Sequence, residues 1–155
     1  MKAKYQLDTA ENREFLHNLC NKLLRFGHKF PSPDGSTYYL DGEGNPWVER
    51  NRETYATGRM VHVYSIGTML GHEGSEELTD AALKGLRGKL RDTAHGGWYA
   101  GLTADNTPMP GKLCYAHAFV IRRWAYNNIY CFSKTLGNSE FENPFLRLIL
   151  TRRRS

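Results

Sequence analysis

No apolar run in the sequence approaches the ~20 residues that span a bilayer, so no membrane segment is expected. The opening stretch, MKAKYQLDTAENREF, has no apolar core and no small-residue cleavage site. That argues against a secretory leader and for the cytoplasm. Cysteine is scarce: Cys20, Cys114 and Cys131 are odd in number and form no CxxC pair. They read as free thiols in a reducing compartment rather than a disulfide framework. HExxH and paired Cys/His spacings are missing, so no metal is expected. A P-loop and a dinucleotide fingerprint are missing too, so no cofactor is expected. The net charge of +5 is concentrated in Arg122, Arg123 and the final TRRRS. No nucleic-acid reader motif accompanies it, so it reads as a solvated end with no nucleic-acid partner.

What is present fits one domain: 155 residues, 40% apolar, which is ordinary for a globular chain. Asp8 and Glu11 form a D-x-x-E pattern close to a capping box. Phe15, Leu16, Leu19, Cys20, Leu23 and Leu24 then recur at helical spacing, and Gly27 offers a stop. This predicts a helix with one buried side. Tyr38, Tyr39 and Leu40 before Asp41-Gly42 predict a short β-hairpin or ordered loop. A second helix is expected from about Arg52 to Leu70. Met60, Val63, Ile66 and Leu70 would cover one side, with Val61, Tyr64 and Met69 on others, so it should be buried on most sides. A third helix is expected from an N-cap at Ser75, with a stripe of Leu78, Ala82, Leu86 and Leu90. HGGWYAGLTADNTPMPG then repeats the loop chemistry, with a turn at Asp105-Asn106. A fourth helix should start near Lys112.

Shifting the chain by 60 positions sets Tyr38-Tyr39 on Trp98-Tyr99, Tyr55 on Tyr115 and Leu23 on Leu83. Each unit is a one-sided helix, an aromatic turn-rich loop and a more thoroughly apolar helix. Such units must stack to bury their faces, which suggests an outer and an inner layer of helices. The rhythm is lost after residue 121, where RRWAYNNIYCFSKTLGNSEFENPFLRLILTRRRS begins.

Within TGRMVHVYSIG, Tyr55, Arg59 and His62 share one helical stripe. Arg59 stays charged at any accessible pH, so on a buried helix it needs a carboxylate partner or a polar cavity. Glu49, Glu53 and Asp92 are the candidate partners. The alternative is a fixed cation aimed at substrate oxygens. His62 and His117 read most simply as core histidines bonded to backbone. Tyr38, Tyr39, Trp98 and Tyr99 read as loop packing before sugar stacking. Tyr55 and Tyr115, each at the start of an inner helix, are better placed to line a pocket.

TGRMVHVYSIGTMLG, GLRGKLRDTAHGGWYAGL and GKLCYAHAFVI together resemble the N-acylglucosamine 2-epimerase family, in particular its aldose–ketose isomerase branch. The resemblance covers roughly residues 10–121. It implies an all-α fold, part of an (α/α)6 barrel with short β-hairpin loops. It also implies proton transfer next to the carbonyl of a free monosaccharide, through a cis-enediol, by isomerisation or C2 epimerisation. On the matching positions, Arg59 would bind the reacting end and steady the enediolate, with Tyr55 and Tyr115 against the sugar. His62, Trp98 and His117 would give support. The family's acid–base histidine pair has no counterpart here, so the chain by itself is expected to be inactive. Residues 122–155 depart from the family as a basic tail, either a shifted reading frame or a natural divergence. A partial ring would leave helices uncovered and open to self-association. The competing expectation is a non-catalytic carbohydrate-binding or assembly fragment.

Overall fold

The computed structural model describes residues 9–121, so Asp8, Cys131 and the tail 122–155 lie outside the described residues. Four helices alternate with two turn-rich loops. They are α1 (Ala10–Phe26), α2 (Thr54–Met69), α3 (Ser75–Arg87) and α4 (residues 114–121). Among the described residues no helix is long and apolar enough to cross a membrane.

The cap of α1 is Thr9, whose hydroxyl accepts from the Asn12 N–H at 3.2 Å. This displaces the expected Asp8 cap by one residue. The expected stripe exists but is uncovered: Leu24 is buried, whereas Phe15 and Leu23 are 61% and 63% exposed and Leu16 and Leu19 are also open. Spacing sets which side chains share a face, and burial needs a partner helix beside that face. Gly27 stops α1 as expected, as its C-cap, but at an ordinary φ of −77°, and the chain continues into a 3-10 turn, Gly27–Lys29. A Cβ there would overlap the Tyr64 hydroxyl. The glycine therefore admits the tyrosine that ties α2 to α1 by donating to the Leu24 carbonyl at 2.8 Å.

Helix α2 starts two residues later than expected, because Arg52 and Glu53 form strand β3. Its buried face is also another one. Ala56, Thr57, Gly58, Val61, Tyr64, Ser65 and Gly67 are buried, while Val63, Ile66, Met69 and Leu70 are exposed. Close packing explains the choice of face. A Cβ on Gly58 would sit 3.3 Å from the Phe119 Cβ, and one on Gly67 would be forced against the Ser75 hydroxyl. Small residues let α3 and α4 approach, and the bulkier row points away. Helix α3 begins where expected, but its cap is Gly74 at φ 75°, and Ser75 is the first helical residue. Ala82 and Leu86 are buried as expected, and Leu90 beyond the helix joins them. The core gathers Leu24, Phe30, Val61, Tyr64, Ala82, Leu86, Leu90, Leu102 and Val120.

The first loop forms a short hairpin, in which β1 (Tyr39–Leu40) pairs antiparallel with β2 (Pro46–Trp47). β3 (Arg52–Glu53), just before α2, pairs antiparallel with β4 (Gly101–Leu102) in the second loop, so this ladder joins the two loops. The backbone repeats itself. The Leu40–Pro46 pair recurs as Leu102–Pro108, and the Asp41–Gly44 turn as Thr103–Asn106. Gly44 and Asn106 hold the same left-handed corner, at φ 81° and 67°. Phe30 and Leu90, sixty apart, are both fully buried.

The loops are joined by a polar knot. Asp34 accepts from the Ser32 and Ser36 hydroxyls at 2.6 and 2.5 Å and from the Ser36 N–H at 2.9 Å. Arg52 approaches its carboxylate at 3.7 Å. Partial burial opposes ionisation of Asp34, but these bonds and the Arg52 charge outweigh it and hold the carboxyl below its ordinary 3.8. A depressed carboxyl contributes stability that is complete above the unfolded value and is lost as pH falls through the folded one. Urea unfolding should therefore show stability dropping from near pH 3.8 downward, with a shallower drop in Asp34→Asn. Equal acid slopes in the two proteins would contradict this role.

Candidate functional site

The first two turns of α2 and of α4 lie side by side, separated by Gly58 rather than by a bulky side chain. This sets Tyr55 and Arg59 of α2 against Tyr115 and Phe119 of α4. The Arg59 guanidinium donates to the Tyr115 hydroxyl at 2.6 Å. Its carbon lies 4.9 Å from the Phe119 ring centre, 5.3 Å from Tyr55 and 6.0 Å from Tyr115. The Tyr55 and Tyr115 rings meet edge to face at 5.5 Å, and those of Tyr115 and Phe119 at 4.9 Å. Cation–π attraction of this kind restrains an arginine without neutralising it.

The first loop supplies a second ring of contacts. The Tyr39 and Tyr55 hydroxyls are 2.8 Å apart. Burial, then hydrogen bonding to Tyr55 and Glu53, pushes the Tyr39 phenol far above its ordinary range. Tyr39 is thus a neutral donor-acceptor link at any working pH. Arg50 stacks on Tyr39 at 3.9 Å and reaches over Trp47 at 5.5 Å. Tyr39 was expected to pack the loop before stacking on a sugar, Glu53 was expected as a partner of Arg59 rather than of Tyr39, and Arg50 and Phe119 were not expected at the site. The one sequence signal for them was aromatic enrichment beside the start of each inner helix.

The expected burial of Arg59 is corrected. The residue is exposed, as is Tyr115 at 52%, because the α2 face carrying it is open over the described residues. Among the described residues its bonded partner is the Tyr115 hydroxyl and not a carboxylate. Asp92 is engaged by Lys112 at 2.9 Å, by His95 at 3.4 Å, and by the N–H groups of Ala94 and His95. Those bonds and Lys112 keep the Asp92 carboxyl far below its ordinary range, the backbone bond from His95 contributing most.

His117 and Trp98 brace the second loop. The His117 Nε2 accepts from the Trp98 N–H at 3.1 Å, which requires the proton on Nδ1, donated to the Leu113 carbonyl at 3.0 Å. The Trp98 indole donates to the Leu86 carbonyl at 2.7 Å. Gly97, at φ 76°, leaves room for the imidazole, since a Cβ would lie 2.6 Å from Nε2. With both nitrogens engaged by backbone, His117 is committed to structure. His62 is half-buried on α2, one turn beyond Arg59. Among the described residues no three His, Cys, Asp or Glu side chains gather as metal ligands, and Cys20 and Cys114 are free thiols.

An exposed guanidinium joined to a phenol and walled by aromatic rings can bind vicinal oxygens and stabilise an oxyanion. It supplies no proton-transfer pair. Comparison with known proteins places the chain in a family. The model of the N-acylglucosamine 2-epimerase (GlcNAc 2-epimerase) family matches residues 35–133. A D-mannose isomerase of Thermobifida fusca is 34% identical over 113 residues, covering 72% of this chain and 28% of that protein. A D-mannose isomerase of Pseudomonas cannabina pv. alisalensis is 35% identical over 81 residues, covering 52% and 19%. The structure of cellobiose 2-epimerase from Spirochaeta thermophila DSM 6192 superposes with a TM-score of 0.62 at 20% identity, over 79% of this chain and 33% of that one. This chain therefore spans about a third or less of the relatives it matches. Its mostly helical fold is part of an (α/α)6 barrel. Matched over most of its length by one family model, the chain belongs to the N-acylglucosamine 2-epimerase family.

Proposed function

We propose that the chain forms the sugar-oxygen-binding portion of an isomerase or 2-epimerase for free aldoses, which moves a proton beside the carbonyl through a cis-enediol. The observation that carries this is the Arg59 guanidinium, bonded to Tyr115 and walled by Tyr55 and Phe119 on an open inner-helix face. A developing enediolate gains most from a cation already held in place, because little reorganisation remains at the moment of reaction. Arg59 is assigned to the reacting end of the sugar, Tyr55 and Tyr115 to its flanks. His62, Trp98 and His117 are assigned supporting roles. The sugar is a mannose-like aldose, by likeness to the D-mannose isomerases, and the protein is proposed to act in the cytoplasm.

Arg59 brings no base, so the residues here bind and stabilise, and the proton is moved by groups this chain does not carry. Incubation of the purified chain with mannose should therefore yield no fructose. Calorimetry should detect mannose binding that weakens at least about tenfold in Arg59→Ala, the loss of a charge-assisted bond. Unchanged affinity in that variant would remove Arg59 from the site, and rapid fructose formation would refute the division of labour. The chain is proposed to divide into residues 1–121, the barrel part, and 122–155, the basic tail. The family match runs on to residue 133, so the boundary rests on the change in composition.

The uncovered rows of α1 and α2, including Phe15, Leu23, Ile66 and Met69, favour a second reading as an assembly fragment. Sedimentation that gives a concentration-dependent mass, with no mannose binding, would select it.

A further inference from the structure

A cleft of about 520 Å³ lies at the other end of α2, between the last turns of α1 and the α2–α3 connection. At 1.5 Å per helical residue it is roughly 15 Å or more from Arg59 along the axis. His17, Asn21 and Arg25 line one wall, and their spacing of four puts them on a single helical stripe. His28 enters from the 3-10 turn, and His72 and Glu73 from the connection. The His28 and His72 rings meet edge to face at 5.5 Å. His72 Nδ1 is 3.1 Å from the Ser75 hydroxyl, and His17 Nε2 is 3.1 Å from the Asn21 amide.

The charge around this cleft is one-sided. Arg25 is permanently cationic, three imidazoles can join it, and Glu73 is the acidic side chain in the lining. Tyr64 flanks His28 at 6.2 Å, and Lys29 is turned away to the Asn45 side-chain oxygen at 3.1 Å. His28 feels the crowding: burial, then the charges of His72 and Arg25, lower its pKa below the ordinary 6.5. A metal is the other chemistry that gathers histidines. However, among the described residues these side chains do not come together in a ligand cluster.

We propose that this cleft binds a phosphate group, held by Arg25, His28 and His72. A phosphate offers an oxygen to each donor, and an arginine fork matches its geometry. The bound anion replaces repulsion among the cations with attraction to each. It therefore favours the charged form of the donors, while the phosphate itself takes up a proton over the same pH range, so the two effects oppose each other.

The test is a titration of the 155-residue chain with inorganic phosphate, followed by histidine proton resonances at about pH 6. Saturable binding at millimolar phosphate is expected near pH 6, with the His28 and His72 resonances moving as the cleft fills. Arg25→Ala and His28→Gln should each weaken it about tenfold, and Glu73→Gln should tighten it. Arg25, His28 and Glu73 are exposed, so the variants should keep the parent's helical circular dichroism. Glucose 6-phosphate separates free phosphate from a phosphate carried on a metabolite. Competition between the two for the same resonances supports recognition of the phosphate group. Binding of the ester without binding of inorganic phosphate overturns the proposal. So does failure to saturate near pH 6, or equal affinity in the parent and Arg25→Ala.

Discussion

Replacing Arg52 by methionine is expected to lower the unfolding free energy by about 3–5 kcal/mol, the range for breaking a buried ion pair from one side. Arg52 is 2% exposed. One guanidinium nitrogen donates to the Asn106 side-chain oxygen at 2.5 Å and to the Thr103 carbonyl at 3.3 Å, and the other faces Asp34 at 3.7 Å. The group also lies over Tyr38 at 5.4 Å. Methionine fills the space but leaves Asp34 without its cation and the Asn106 side-chain oxygen without the guanidinium, while the Thr103 carbonyl keeps only the Asn106 N–H. Asp34 keeps 20% of its side-chain surface in water, which pulls the expectation toward the lower half of that range. Arg52→Lys should fall between, because an ammonium keeps the charge and loses the fork. Denaturant unfolding followed by circular dichroism measures all three. A loss under about 1 kcal/mol for the methionine variant would mean that the knot does not hold the loops together.

Tyr64→Ala should be about as damaging, at roughly 3–5 kcal/mol, the usual range for an aromatic cut back to alanine in a core. The ring is 1% exposed and stacks on Phe30 at 5.3 Å. Tyr64→Phe isolates the hydroxyl and should cost about 1 kcal/mol, with the Leu24 carbonyl left unpaired. Burial raises the phenol from 10.0 to about 12. The folded protein thus keeps the proton after the unfolded chain has begun to lose it. Stability from this group is full below pH 10 and is lost as pH climbs toward 12. Tyr39 shifts the same way, so the phenylalanine variant should flatten only part of the alkaline decline. An alkaline profile identical to the parent's would count against the buried bond.

The helices were legible because apolar spacing is a local property. α1 and α2 fall within two residues of their expected bounds, and α3 starts at Ser75 as expected but ends at Arg87, short of Leu90. Which of their faces is covered was not legible. Phe15 and Leu23 mark the apolar side of α1 correctly, yet burial there depends on what stands opposite. In α2 the bulky residues misled. The packed side is the one with Gly58, Thr57 and Ser65, because close approach between helices selects for small volume. At the site, the sixty-residue shift brought Tyr55 and Tyr115 together in advance, and the structure sets their rings in contact. Arg52 left no local trace. Its partners Thr103 and Asn106 are more than fifty positions away, and nothing in RNRET distinguishes a buried arginine from its exposed neighbour Arg50.

The start of α2 is fastened by residues made much later. Thr54 bonds to the Tyr99 carbonyl through its hydroxyl and to the Ala100 carbonyl through its N–H, and Arg52 and Glu53 pair with Leu102 and Gly101. During synthesis on the ribosome, the turn bearing Arg59 therefore stays unlatched until the second hairpin has left the exit tunnel. The first unit is closed by the second, and a nascent chain halted between the two would present the start of α2 as a loose end.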